Sequence, residues 1–215
     1  EAARLQAVVD KLNALIAKEP QVPEKPTEPA EVEEPTPVEK PADESDSEQT
    51  EAYNRYLEQK AAYEQYLADK DEYDKELEEY NTKLETYKTE HDDWEKQCAD
   101  VREEAKFSQS AQILRTQVGE LEALGSAISA VLPSSIPGSG IGAGVSAGIL
   151  EQIDRLDGLN ERDMSNEEFL SAAGTLISAL NQISGGYDAA GGALSSIDSQ
   201  IATATTELEK AKAQL

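Results

Sequence analysis

The sequence predicts an all-α protein, an elongated antiparallel coiled-coil hairpin or rod with an acidic, Pro-rich disordered linker. Three observations carry that expectation. From Ala52 to about Ala105, large apolar side chains recur at alternating spacings of four and three. No Pro or Gly interrupts residues 51–118. No segment alternates apolar and polar residues as a half-buried strand does.

Composition points the same way. The 215 residues contain only 2 Phe and 1 Trp, and 38% are hydrophobic, below the roughly 45–50% of ordinary globular domains. Helices that each bury one stripe suit such a chain better than a compact globule. The formal charge is −25, from 44 acids and 19 bases. That disfavours nucleic acid and anionic membrane surfaces, which need cationic patches. The single cysteine, Cys98, excludes an internal disulfide. The first residue is Glu1 rather than Met, as in a processed chain or a fragment.

Residues 1–18 read as a short amphipathic helix with Leu5, Val8, Val9, Leu12, Leu15 and Ile16 on one face. About 18 residues are marginal alone in water, so it must dock. Residues 19–50 form the linker. Seven of the nine prolines lie here, among 11 acids and 2 bases. Proline fixes φ and removes a donor, and the charges repel, so the segment is expected to be extended or disordered.

Residues 51–132 are expected to be one long coiled-coil helix. One seam is Tyr66, Tyr73, Tyr80, Tyr87, Trp94 and Val101; the other is Tyr56, Tyr63, Lys70, Leu77, Leu84, His91, Cys98 and Ala105. Tyr56, Tyr63, Tyr66, Tyr73, Tyr80, Tyr87 and Trp94 are the candidate interaction residues. Aromatics on such a stripe pack against a partner helix, either within the chain or on another chain, in heterologous contact or self-association.

Residues 123–150 carry no charge in 28 positions. Residues 133–148, rich in Gly and Ser, are expected to form an apolar tip. Ile136, Gly140, Ile141, Gly144, Val145, Gly148 and Ile149 are its candidate contacts. Two readings stand: a tight turn where small residues let backbones touch, or an element that dips into a membrane. Returning helices follow over 149–215. Ser165-Asn-Glu-Glu168 is a capping box, and Phe169, Leu170, Leu176, Ile177, Leu180 and Ile183 make a stripe. Gly185-Gly186 and Gly191-Gly192 punctuate it. A last helix turns Leu194, Ile197, Ile201 and Leu208 inward.

Chemistry is thinly represented. Gly144-Val-Ser146-Ala-Gly148 matches the nucleophile-elbow string, but no strand precedes it and the one histidine, His91, lies upstream. His91 and Cys98 share a face without a zinc signature. No catalytic residue, metal or cofactor is expected.

The acidic Pro/Glu/Lys/Thr segment beside a Tyr-rich helix looks like the stalk regions of Gram-positive surface proteins. YNRYLEQKAAYEQYLADKDEYDKELEEYNTKLETYK resembles the helical repeats of streptococcal antigen I/II adhesins, with less alanine and without their long repeat units. LNQISGGYDAAGGALSSIDSQI resembles the leucine-glycine helical repeats of YhgE/Pip-type bacterial surface proteins. These likenesses imply an exported, extracellular or cell-surface location and a non-enzymatic spacer, adhesion or assembly role. The alternative is a membrane-inserting protein that uses residues 123–150, as in the pore-forming toxins and the phage or secretion-system translocators it resembles in layout.

Overall fold

A computed structural model describes residues 1–42, 47–131, 146–156 and 158–214. The fold is all-α. Helices α1 (Ala2–Ile16), α2 (Ser47–Glu103), α3 (Phe107–Val131), α4 (Ser146–Leu156) and α5 (Asn166–Ala213) are joined by one 3-10 turn at Glu161–Asp163. No strand occurs among the described residues. The chain forms two compact units. One comprises Glu1–Lys18 and Trp94–Leu215, the other Glu19–Asp93.

The first unit holds the core. α1 buries Leu5, Val8 and Leu12 as its periodicity demands. They join Cys98 and Ala105, Phe107 to Val118 of α3, Ile149 to Leu156 of α4, and Phe169 to Ile183 of α5. Phe107 and Phe169 are both fully buried and stack, with ring centroids 5.1 Å apart. A smaller cluster joins Ile128 to Ala190 and Ala193.

The helix expected over 51–132 is two helices. It breaks between Glu103 and Phe107, where Lys106 adopts φ 48°. Gly119 and Gly125 lie inside α3 and do not break it. The break is held from both sides of the sequence. Arg4 donates to the carbonyls of Glu104 at 2.9 Å and Ala105 at 2.7 Å, satisfying acceptors that a helix end leaves open. Downstream, the Glu161 carboxylate accepts from the Phe107 amide and so caps the start of α3. Arg102, buried, donates to the carbonyls of Glu161 at 3.2 Å and Arg162 at 3.0 Å, and to the Asn166 side chain.

Within the first unit the two long helices α3 and α5 are not antiparallel to each other. Phe107 meets Phe169, and Tyr187 donates to the Gln117 carbonyl at 3.3 Å, so α3 and α5 run the same way. The reversal is made by α4, whose Asp154 pairs with Arg115 while the turn after it reaches Phe107.

α5 opens on the expected capping box. Ser165 Oγ accepts from the Glu168 amide at 3.2 Å, and Glu168 accepts from the Ser165 amide at 2.9 Å. It then runs unbroken through Gly185-Gly186 and Gly191-Gly192. Packing of Ile183, Ala190 and Ala193 on one face outweighs the propensity cost of the glycines, about 1 kcal/mol each. Leu194, Ile201 and Leu208 do not turn inward; all three are exposed, and only Ile197 of that stripe is half-buried. Residues 198–213 make no buried contact.

In the second unit, residues 19–42 carry no helix or strand. They are nevertheless no free linker, because they form one compact unit with the N-terminal part of α2.

Candidate functional site

The pairing of residues 19–42 with α2 places the predicted aromatic residues. Along the segment, Pro20, Pro23, Pro26, Pro29, Val32 and Pro35 are half-buried, and the residues between them are exposed. Burial at every third residue is the repeat of a polyproline II helix laid along a surface. Along α2, Tyr53, Tyr56, Tyr63, Tyr66, Lys70, Tyr73, Leu77, Tyr80, Leu84, Tyr87 and His91 are half-buried, and nearly everything else is exposed. That is the heptad stripe.

One contact fixes how the two run. Lys70 Nζ lies 3.5 Å from Glu28 Oε1. From Glu28 to residue 42 an extended proline-rich chain covers about 43 Å. From Lys70 back to Ser47 the helix covers about 35 Å. Only an antiparallel arrangement lets residues 43–46 connect those ends. The repeats are also nearly commensurate. Three residues of polyproline II advance about 9 Å, and seven residues of α-helix about 10.5 Å. Each proline therefore meets roughly one level of the tyrosine stripe, and the flat rings give each pyrrolidine an apolar face.

The rings also contact one another. Tyr53 and Tyr56 have centroids 6.3 Å apart, and Tyr63 and Tyr66 6.2 Å, both tilted. Tyr87 packs on His91 at 5.4 Å. The Lys70 ammonium is held above the ordinary lysine range. The charge interaction with neighbouring Tyr66 is the largest cause, and the Glu28 hydrogen bond adds to it. Both partners of that ion pair are largely exposed, so solvent screens it and it contributes little to stability.

Six of the seven predicted contact residues thus share this face: Tyr56, Tyr63, Tyr66, Tyr73, Tyr80 and Tyr87. Trp94 belongs to the other unit, where its Nε1–H donates to the Leu15 carbonyl at 2.8 Å and closes the end of α1. Of the predicted tip residues, Ile136, Gly140, Ile141, Gly144 and Val145 lie outside the described residues. Gly148 is exposed near the start of α4, while Ile149 is buried in the core. The uncharged stretch also supplies Gly125 and Ile128 to the buried face of α3. Among the described residues, no helix is long and apolar enough to cross a membrane.

Sequence reasoning did not single out the clamp at the helix break. Arg102 reads as one more outer-face charge, and Glu161 as a loop residue. The prolines did carry a signal, since Pro20, Pro23, Pro26 and Pro29 stand three apart and Pro35 keeps their phase. No family model, curated protein or solved structure matches the chain.

Proposed function

We propose that the chain is a non-enzymatic structural and contact protein, an exported surface stalk or assembly component in which the Tyr-rich helix provides reach. One observation carries this reading: the period-three burial of residues 19–42 against the heptad stripe of α2. A lone helix of this length is stabilised by packing rather than propensity. Here the packing comes from a proline segment of the same chain, which is already extended and loses little entropy on docking. The product is a braced single helix with a strongly acidic outer surface. The Ser47–Asp93 portion alone rises about 70 Å.

The test is a distance measurement. Spin labels at Asn54→Cys and Glu90→Cys, in a Cys98→Ala background, should give one narrow distribution near 54 Å. Replacing Pro23, Pro26 and Pro29 by Gly should broaden it. A broad distribution in the unsubstituted chain, or one indifferent to the prolines, rejects the brace. For location, an antibody to α2 should label intact source cells; labelling only after lysis overturns the surface placement.

A further inference from the structure

The C-terminal part of α5 continues for more than four turns beyond the core, and every described side chain from residue 198 onward is exposed. Its apolar residues are nonetheless ordered in heptads. Leu194, Ile201 and Leu208 form one line, 44%, 59% and 55% exposed. Ala204 and Ala211 form a second line three residues on, in phase with Ile197, which is half-buried against the cluster of Ile128, Ala190 and Ala193. The segment is a poor helix by propensity, with β-branched Thr203, Thr205 and Thr206 within four residues. A helix of this composition and length is marginal without a partner.

We propose that residues 194–213 of α5 pair with the same residues of a second copy as a short parallel coiled coil. Charge favours that occupant and that direction. With Leu194, Ile201 and Leu208 at the first core position, Glu207 and Lys212 fall on the flanking positions that face each other across a parallel dimer. Two-fold symmetry gives two such ion pairs. Antiparallel pairing of the same residues sets Glu207 opposite Gln200 instead. The chain as a whole carries −25, yet residues 194–213 hold Asp198, Glu207 and Glu209 against Lys210 and Lys212 and carry only −1. Two copies can therefore meet here without the repulsion that the rest of the surface imposes. This pairing does not depend on the proline brace, which lies in the other unit.

Sedimentation equilibrium of the full chain, from low-micromolar to sub-millimolar concentration, should show a reversible monomer–dimer equilibrium. The double variant Ile201→Asp, Leu208→Asp should weaken it by at least about tenfold, which is about 1.4 kcal/mol. Its thermal midpoint for the core should stay unchanged, since neither residue touches the core. Glu207→Lys and Lys212→Glu should each weaken the dimer, and the two together should restore it. A monomer at every concentration overturns the proposal, as does a dimer indifferent to both sets of variants. A dimer weakened by the Asp variants but not restored by the double charge exchange overturns the parallel register. A fall in the midpoint of a monomeric Asp variant shows that this chain covers the stripe itself, which also overturns it.

Discussion

Gly186 of α5 lies directly against Leu121 of α3: a Cβ built at residue 186 would stand 2.5 Å from Leu121 Cδ2. The neighbouring glycines Gly185, Gly191 and Gly192 have nothing within 4 Å of the same construction. One glycine of the four is therefore required by the approach of two parallel helices, and the others are not. Gly191→Ala should raise stability by about 0.5–1 kcal/mol through helix propensity. Gly186→Ala gains the same propensity but must displace a buried leucine, an overpacking cost of about 1–3 kcal/mol, and should come out net destabilising. Thermal melts of the two variants check the opposite signs.

The break between α2 and α3 supplies a second contrast. Lys106 sits at φ 48°, in the left-handed region that costs a side chain roughly 1 kcal/mol. Lys106→Gly should stabilise the first unit by up to about 1 kcal/mol, seen as a higher denaturant midpoint with unchanged slope. A fall in the midpoint would mean that the Lys106 side chain contributes more than its backbone costs.

The tyrosine stripe is half-buried, not buried, and its energetics should scale accordingly. Tyr73→Ala and Tyr80→Ala should each cost about 1–2 kcal/mol, below the 3–5 kcal/mol of a fully buried aromatic. The sensitive readout is proteolysis of the proline segment. Cleavage after Glu24, which this register places between the levels of Tyr73 and Tyr80, by a glutamate-specific protease should accelerate when both are replaced. Lys70→Ala, which removes an exposed ion pair, should change it little.

Acid should release α1. The Glu1 carboxyl is held down at about 2, first by its hydrogen bond from Arg4 and further by Ser110, with partial burial opposing. Its folded value lies below its ordinary one, so its contribution is complete above about pH 4.5 and fades as pH falls toward 2. Glu1→Gln should therefore lower the melting temperature near neutral pH, and the gap to the parent chain should close with acidification. A gap that stays constant down to about pH 2.5 would remove the carboxylate from the account.

The all-α class, the α1 stripe, the capping box at Ser165 and the Phe169 to Ile183 stripe were legible because each is a local periodicity or motif. The break at Glu104 to Lys106 was not. No Pro or Gly marks it, and it is made by Arg4 and Glu161, residues far away in sequence. The continuity of α5 was misjudged because glycine signals propensity, whereas Gly186 reports the approach of another helix. The proline segment was read by charge and composition, which describe a free chain. Its spacing of three describes a surface to lie on, and that surface was the tyrosine stripe already in view. The outward turn of Leu194, Ile201 and Leu208 was invisible because a heptad does not say which neighbour it meets.

The closure of the first unit around α1 also sets an order in time. Leu5, Val8 and Leu12 leave the ribosome long before Phe169, Ala173 and Leu176, which belong to the same core cluster. The proline segment and α2, by contrast, can pair as soon as residue 93 has emerged. Synthesis therefore completes the braced helix early and leaves the cover of α1 incomplete until α5 arrives. A chain arrested before Asn166 would display a finished second unit and an α1 without its α5 cover, apolar surface of the kind that chaperones bind.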